Sequence, residues 1–539
     1  MLVSVSLAEP VQRSMTKIRS HLPALAALLF GALGVLYRLA LILMGVPGSN
    51  SDEATFGLAA KHIAEGRHTP IFLYGQHYMG VLESYLAAPL FAVFGPSWVA
   101  LRIPLLVLYA LFLFAMYHLV RRLYSPVFAA IVIGLLSLGS ERVVRDQITA
   151  VGGRAENKVA VVLVLLLTLA LACGTVRHRL PAYGMVGLLA GLALWSDWLV
   201  LPYLAAAAVV LLVASGRELW GRPGAALTGG LVLGGLPVII YNLRAGPGED
   251  SWTVLWGLAD SGGLTAPLRQ RWDGLVESIP LATGLCPSSG CTGLHQWFTY
   301  LYLALLVVAA ALAVHALRRD RRDRDGRIRA VTQLALLAAA ALTLYAYLRN
   351  PTTATEPLAN ARYLSVLQIS LPAVLWPLYA AGRHSWGMLD TNHRIVGNLA
   401  NNVVGVIVLL SVISTGMFVR DLDKLQQEET QARLLGERLQ ELGVHHVYSE
   451  YWICNRLVFN TNENVLCAVI GETVGRGLDR YPPYREQVDR EPSPAFVFQS
   501  GTIFEEGFRR LLDDGDLDAT VTEIGRYRLY QPEQELRPR

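Results

Sequence analysis

Two acidic segments of the sequence carry side chains suited to acid–base chemistry. The segment 50–66 contains the adjacent carboxylates Asp52 and Glu53, and the segment 141–158 contains Glu156. A carboxylate takes up or releases a proton in catalysis when a reacting hydroxyl lies within hydrogen-bond reach. The first pair directly follows an apolar stretch, where a carboxylate is costly unless it is used or paired. These three residues are therefore our catalytic candidates.

Asp52 also has a structural interpretation. Asp52, or the serine before it, could cap a helix predicted over 53–65, because a side-chain oxygen there accepts backbone N–H groups. The two roles are compatible, since a capping residue is held rigidly at the start of its helix. A second amphipathic helix is predicted over 79–94, and both helices would lie at the membrane surface.

Between these two helices lies a turn rich in hydrogen-bonding and stacking groups, Tyr74-Gly75-Gln76-His77-Tyr78. A lone histidine is most often structural or solvated. The neighbouring tyrosines and the nearby carboxylate pair make His77 and Tyr78 candidates for substrate binding.

Four cations accompany the acidic segments. Arg102 opens the apolar stretch after the first segment, Arg154 and Lys158 belong to the second, and Arg362 precedes a later apolar stretch. Each guanidinium or ammonium could bind an anion. Arg102 could instead be an interfacial anchor, and Arg362 could pair with Glu356.

The composition indicates that these residues are held in a membrane, since of 539 residues 53% are hydrophobic and 16% are charged. A helix that crosses the hydrocarbon core needs roughly 20 mostly apolar residues. Eleven segments fit this requirement: 23–46, 98–120, 125–140, 157–174, 182–196, 197–214, 224–243, 296–317, 330–348, 363–381 and 395–419. The polar sequence Trp195-Ser196-Asp197-Trp198 separates the spans 182–196 and 197–214. If these two segments formed a single span, every later loop would lie on the opposite side of the membrane.

Positive charge supports eleven spans with a cytoplasmic N-terminus. Lys and Arg are retained on the cytoplasmic side, and in this arrangement all basic clusters, including the Arg-rich run 318–329, fall on that side. The formal net charge of +4 is then mostly topogenic and gives no reason to expect nucleic-acid binding. We expect a multi-pass plasma-membrane protein with a retained first helix.

The sequence changes character near residue 420, which predicts two domains, 1–419 in the membrane and 420–539 outside it. The second reads as a small α/β domain. Its predicted elements are helices at 424–442 and 502–513 and strands at 445–449, 464–470, 495–499 and 520–530. Tyr451, Trp452 and Arg456 could form a sugar platform there, although we favour Trp452 and Phe459 packing in the core.

Four of the five cysteines fall into two pairs on the outer side. Cys286 and Cys291 share a loop, and Cys454 and Cys467 share the C-terminal domain. An oxidising compartment would allow two disulfides, while free buried thiols are the alternative.

The motifs resemble those of the GT-C superfamily of polyprenyl-phosphate-sugar-dependent glycosyltransferases, in particular the protein mannosyltransferase and aminoarabinose transferase branch. The resemblance covers about residues 20–420. It depends on the order and the membrane side of Asp52-Glu53, Phe94-Gly95-Pro96-Ser97, Arg102-Ile103-Pro104, Gly152-Gly153-Arg154-Ala155-Glu156 and Ala361-Arg362-Tyr363-Leu364.

This resemblance implies roles for the candidates. Asp52 would be the general base that takes the proton of an acceptor hydroxyl, Glu53 would position the acceptor, and Glu156 would orient sugar or acceptor. Arg362 would be the first candidate to hold the lipid phosphate. The further donor-binding candidates are Arg102, Arg154, Lys158, His77, Tyr78 and Tyr363.

The resemblance also implies the reaction. The donor would be a polyprenyl-phosphate hexose or pentose, the acceptor a glycan, lipid or protein, and direct displacement would invert the anomeric centre. No metal or other cofactor is expected. A transporter or lipid flippase is the main alternative, for which Asp197 is the one ionisable candidate within the spans, and a non-catalytic membrane scaffold is a further alternative.

Overall fold

A computed structural model of the chain describes residues 8–260, 266–287, 289–319, 322–350, 353, 356–384 and 391–538. A helical membrane region is followed by a small α/β domain, which confirms the predicted fold class. The helices of the membrane region are α1 (Ala8–Leu43), α2 (Ser51–Ala64), α3 (Leu82–Phe94), α4 (Trp98–Leu123), α5 (Pro126–Ser137), α6 (Glu141–Ile148), α7 (Ala155–Ala172), α8 (Arg179–Ser196), α9 (Leu201–Ser215), α10 (Arg222–Gly234), α11 (Leu236–Arg244), α12 (Ser251–Asp260), α13 (Leu268–Thr283), α14 (Gly293–Arg319), α15 (Arg324–Arg349), α16 (Pro357–Asn360), α17 (Leu367–His384) and α18 (Thr391–Arg420).

Seven helices of the described residues are long and apolar enough to cross a membrane, and the number rises to ten when each of three bent helix pairs counts as one span. Ten of the eleven predicted spans coincide with these helices or pairs. The other, 182–196, is helix α8, which lies outside that set. The sequence Trp195-Ser196-Asp197-Trp198 does separate two helices, because α8 ends at Ser196 and a short 3-10 turn, Trp198–Val200, precedes α9.

The bend between α5 and α6 has an identifiable cause. The two helices meet at 95°, and the fully buried Arg38 of α1 donates to the carbonyl oxygens of Ser137 (2.9 Å) and Leu138 (3.1 Å). Its Nε also donates to Gln147 Oε1 on α6 at 2.7 Å. The last carbonyls of a helix have no partner within that helix, so Arg38 satisfies groups that lipid could not.

Helix α2 holds the first acidic pair. Its N-cap is Asn50, whose side chain accepts the backbone N–H of Glu53 at 2.9 Å. The capping interpretation of Asp52 is therefore wrong, and its carboxylate does not serve as the cap. Both surface helices form close to their predicted bounds, with α2 at Ser51–Ala64 and α3 at Leu82–Phe94.

The C-terminal domain begins with helix α19 (Leu422–Glu441) and contains α20 (Tyr451–Asn460), α21 (Pro482–Val488) and α22 (Ile503–Gly515). Its strands are β1 (His446–Ser449), β2 (Leu466–Val469), β3 (Ala495–Gln499), β4 (Ala519–Ile524) and β5 (Tyr527–Pro532). The sheet order is β2-β1-β3-β5-β4, with β1 parallel to β2 and β3, and with β5 antiparallel to β3 and β4. The single closing strand predicted at 520–530 is wrong, because the chain turns at Gly525, which has a positive φ of 58°.

Both predicted cysteine pairs are disulfide-bonded. Cys286 and Cys291 lie 5.5 Å apart between Cα atoms, and Cys454 and Cys467 lie 5.1 Å apart. The second disulfide joins α20 to β2 within the sheet domain.

The C-terminal domain packs directly on α2. Glu463 accepts hydrogen bonds or ion pairs from Lys61 (2.6 Å) and His62 (3.1 Å) of α2, and from Arg67. Burial opposes ionisation of Glu463, yet these donors hold its pKa well below the ordinary value. Helix α2 is therefore packed against protein on most of its faces, whereas the prediction placed it at the membrane surface.

Candidate active site

A cavity of about 140 Å³ lies where α2, the following turn, the α6–α7 loop and the C-terminal domain meet. Two further segments, at Asp197 and at Arg362–Tyr363, also contribute, so six separate parts of the sequence supply its walls. The lining residues are Asp52, Phe56, Leu73, Gln76, Tyr78, Met79, Val151, Arg154, Asp197, Arg362, Tyr363 and Arg480.

Asp52 is held by two residues of the C-terminal domain. The hydroxyl of Tyr451 donates to Asp52 Oδ1 at 2.5 Å, and Arg480 Nη2 lies 3.5 Å from the same oxygen. Arg480 Nε in turn donates to the Tyr451 hydroxyl at 2.9 Å. Burial raises the pKa of Tyr451, so the phenol stays protonated and remains a donor. These contacts fix Oδ1 and orient the carboxylate beside the cavity.

Glu53 and Arg102 form an ion pair beneath the cavity. Arg102 donates through Nε to Glu53 Oε1 at 2.7 Å and through Nη2 to Oε2 at 2.6 Å, and each side chain is 1% exposed. Neither residue lines the cavity. The pair joins α2 to α4, and the snorkelling interpretation of Arg102 is wrong because its guanidinium points to protein rather than to headgroups.

Arg154 and Arg362 place two guanidinium groups in the cavity wall. Arg154 Nη1 donates to Asp146 at 3.2 Å, and Arg362 Nη2 donates to the Tyr363 hydroxyl at 3.0 Å. The Nε atoms of both arginines are buried and have no hydrogen-bond partner among the described residues. Within the same residues Arg362 makes no ion pair with Glu356, the alternative suggested by the sequence. Buried donors of this kind are normally satisfied by a ligand or by water.

Asp197 is a cavity residue that the sequence suggested only for a transporter. Its Oδ1 accepts the backbone N–H of Leu199 at 2.9 Å. Burial raises its pKa to about 6, against the smaller opposing effects of that backbone donor and of Arg154. The α6–α7 loop fits closely over it, because Gly153 has a φ of +68° and a Cβ there would overlap Asp197 Cβ.

Glu156 lies behind this loop. Its Oε1 accepts the backbone N–H of Gly153 at 3.1 Å and the Ser196 hydroxyl, and its side chain is buried and outside the cavity lining. Glu83 accepts the backbone N–H of Gly152 at 3.0 Å. Burial, and then the Glu156 carboxylate, raise the pKa of Glu83 well above its ordinary value. The two carboxyls hold the double glycine and thereby place Arg154.

The remaining predicted binding residues divide into two sets. Tyr78 and Tyr363 line the cavity. His77 does not, since its ring bonds to the Tyr241 hydroxyl, and Lys158 is fully buried with Nζ 3.5 Å from Gln368 Oε1. The structure therefore brings together Asp52, Arg154, Arg362 and the two tyrosines, and separates Lys158 and His77 from them.

Three polar residues of the cavity were not predicted as part of the site. Gln76 belongs to the predicted turn, and its buried Oε1 has no partner in the described part of the chain. Asp197 was visible as a charge interrupting an apolar stretch. Arg480, like its partner Tyr451, belongs to the C-terminal domain, where no local signal connects it to Asp52, 428 positions earlier.

Of the two aromatic residues of α20 that were predicted to pack in the core, only one does so. Phe459 is buried, as expected, and packs on Trp98 of α4 with ring centroids 4.4 Å apart. Trp452 is 55% exposed, so its predicted place in the core is wrong. Across the described residues no group of three or more His, Cys, Asp and Glu side chains could hold a metal ion.

One protein family and two solved structures are similar to this chain. Residues 80–241 match the family described as dolichyl-phosphate-mannose-protein mannosyltransferase. ArnT from Cupriavidus metallidurans bound to undecaprenyl phosphate is similar over 94% of this chain and 97% of that chain, with 14% identity and a TM-score of 0.52. The Archaeoglobus fulgidus oligosaccharyltransferase in the apo form gives 12% identity and a TM-score of 0.47, over 89% of this chain and 70% of that chain. No curated protein sequence matches this chain.

The fold and the site together define a polytopic membrane protein, and the similarities found agree with the predicted resemblance to the GT-C superfamily. Part of the membrane region is similar to the dolichyl-phosphate-mannose-protein mannosyltransferases, and nearly the whole chain has the fold of ArnT. These similarities do not favour the transporter or flippase alternative.

Proposed function

We propose that this protein transfers a sugar from a polyprenyl-phosphate donor to an acceptor hydroxyl at the outer face of the plasma membrane. The observation that carries the proposal is one cavity lined by Asp52 and by two arginines, Arg154 and Arg362, whose buried Nε atoms lack partners in the described chain. A base and an unsatisfied anion site are the two requirements of displacement from a lipid phosphate.

In the proposed step the acceptor oxygen attacks the anomeric carbon while its proton passes to Asp52. The bond between the anomeric carbon and the phosphate oxygen breaks, and its electron pair leaves with the polyprenyl phosphate. Arg154 and Arg362 hold that phosphate, so no acid is needed to protonate it. A single displacement inverts the anomeric centre. None of these steps uses a metal ion or another cofactor.

The neighbouring residues are assigned supporting roles. Tyr451 and Arg480 orient Asp52 through Oδ1, and the Glu53–Arg102 pair fixes the start of α2 from below. Glu156 and Glu83 hold the loop that carries Arg154. Gln76, Tyr78 and Tyr363 are placed to contact the sugar, because they are hydrogen-bonding side chains of the cavity wall.

Two further observations support the donor and the location. ArnT, whose fold this chain shares, has been crystallised with undecaprenyl phosphate. Counted over the eleven predicted spans, the Lys and Arg residues of the short loops support a cavity on the outer side of the plasma membrane with the N-terminus inside. The contacts of the C-terminal domain with α2, which follows the first span, support the same side for that domain.

The test is Asp52→Asn, which keeps the shape of the side chain and removes the base. Sugar transfer from polyprenyl-phosphate donors in membranes should fall by at least about 100-fold, the range expected for loss of a general base. Asp514→Asn, an exposed position of the C-terminal domain, is the matched control and should retain full activity.

Expression and folding of both variants are checked by membrane yield and thermal unfolding. Full activity of a folded Asp52→Asn variant would exclude Asp52 as the base. Substrate uptake into proteoliposomes without any sugar transfer would instead support a transporter.

A further inference from the structure

Two adjoining cavities form one groove along α9 and α15, on the face directed away from the protein interior. We call it the α9–α15 groove. One, of about 340 Å³, is walled by apolar side chains that include Val209, Val331 and Ala338. The other, of about 250 Å³, shares Val331 and ends at Arg324 and Arg327. The groove is therefore apolar along its length and cationic at one end.

The groove faces away from the protein interior. Val209 is 48% exposed and Leu342 is 53% exposed, although both belong to apolar helices long enough to span a membrane. The distance along α15 from Arg324 to Leu342 is roughly 27 Å at 1.5 Å per residue, close to the thickness of the hydrocarbon core. The apolar part therefore lies at the depth of lipid chains.

The cationic end lies at the membrane surface opposite the catalytic cavity. Helix α9 begins just after Asp197, a cavity residue, and runs away from it to Ser215. Helix α15 ends at Arg349, before the segment of Arg362, and Arg324 is at its other end. The α9–α15 groove is therefore a different site from the one that holds the proposed donor.

The two arginines of the groove are available to an anion. Arg324 donates a long hydrogen bond to the carbonyl oxygen of Ala172, at 3.4 Å. In the part of the chain that the structure describes, Arg327 makes no ion pair. The side chain of the adjacent Asp323 has other partners, since it accepts the backbone N–H of Asp325 and lies 4.0 Å from Arg329.

We propose that the α9–α15 groove binds one anionic diacyl phospholipid. One of its acyl chains lies along Val331 and Ala338, and its phosphate contacts Arg324 and Arg327. Charge complementarity selects this occupant, because two cations at the end of an apolar groove match a lipid that joins a negative headgroup to an apolar chain. Zwitterionic lipids would fill the same groove with lower affinity.

The experiment is native mass spectrometry of the full chain, released from nanodiscs that contain equal amounts of phosphatidylglycerol and phosphatidylcholine. We expect one phosphatidylglycerol to be retained on the wild-type protein. The double variant Arg324→Gln/Arg327→Gln should reduce its retention by about 30-fold, as expected for two arginines near an anionic headgroup. The matched control is Arg177→Gln/Arg222→Gln, at exposed arginines outside the groove, and should retain the lipid.

A second variant tests the apolar part. Ala338→Leu adds a larger side chain to the groove wall and should lower retention of the lipid without changing the charge. Equal retention of the two lipids, or equal loss in the control pair, would overturn the proposal. Preferential binding of added polyprenyl phosphate, or a second copy of the chain in place of lipid, would also overturn it by assigning the groove to another occupant.

Discussion

Arg362 is a cavity residue whose guanidinium lacks a hydrogen-bond acceptor at one nitrogen among the described residues. Its guanidinium lines the cavity, contacts the Tyr363 hydroxyl and leaves Nε buried without a partner among the described residues. A buried charge is costly unless it is paired. The lipid phosphate of the proposed donor would supply both the charge and the acceptor oxygen.

Replacing Arg362 by Gln should therefore weaken donor binding more than it slows the reaction of bound donor. We expect the KM for the polyprenyl-phosphate sugar to rise by about 10- to 100-fold, the range for loss of a hydrogen bond to a charged group. The measurement is steady-state transfer at varied donor concentration. Arg349→Gln, an exposed position at the end of α15, serves as the control. An unchanged KM in the Arg362 variant would contradict its assignment to the phosphate.

Asp197 gives the cavity a pH dependence. Burial raises its pKa to about 6, so the side chain is neutral below that pH and carries a negative charge above it. The cavity therefore becomes more positive as pH falls from 7.5 to 5.5. The Kd for the polyprenyl-phosphate sugar, a phosphodiester whose own charge does not change over this range, should decrease by roughly three- to tenfold. In Asp197→Asn the Kd should not vary over this range. A wild-type Kd that increases on acidification would contradict the sign of this prediction.

At the scale of elements, apolar length predicted the spans well but could not predict where they bend. The segments at 98–120 and 296–317 became α4 and α14 because each holds enough apolar residues to satisfy its own backbone within lipid. The predicted span at 125–140 became α5 followed by a 95° bend into α6. That bend depends on Arg38, about a hundred positions away, and no local pattern reveals it.

Arg38 should therefore be essential for the α5–α6 bend. In Arg38→Leu the carbonyls of Ser137 and Leu138 and the amide of Gln147 lose their donor in an apolar environment. We expect a loss of stability of about 3 kcal/mol, because a buried acceptor left without its donor costs about 1–3 kcal/mol. The midpoint of thermal unfolding in detergent measures it. Arg121→Leu, at the exposed end of α4, should leave that midpoint nearly unchanged.

At the scale of the whole molecule, the C-terminal domain completes the candidate site. Asp52 and Arg362 were predictable from their residue types and their positions near the ends of spans. The parts supplied by Tyr451 and Arg480 were not, because the packing of the sheet domain on α2 brings them to Asp52 across about 400 positions. The same packing buries Lys61 against Glu463 on a helix that was expected to lie at the membrane surface.

Tyr451→Phe should separate orientation of Asp52 from binding of the donor. The variant removes the donated hydrogen bond and keeps the ring, so we expect kcat to fall by about tenfold while the KM for the donor stays within twofold. Arg480→Gln should lower kcat in the same direction. Trp452→Phe, at the exposed neighbouring position, is the control. If Tyr451→Phe raises KM and leaves kcat unchanged, the hydroxyl binds substrate and does not position the base.

The contact between Asp52 and Arg480 also sets an order for biosynthesis. Asp52 enters the membrane with the first helix, whereas Arg480 is synthesised 428 residues later. A ribosome must therefore complete every span and most of the sheet domain before the cavity has all its walls. A chain cut short by a stop codon after α18 would keep its spans and the carboxylate but lack the groups that orient it. Incomplete chains would thus occupy the membrane without a finished site. The cavity would be complete only after the segment that contains Arg480 had been synthesised.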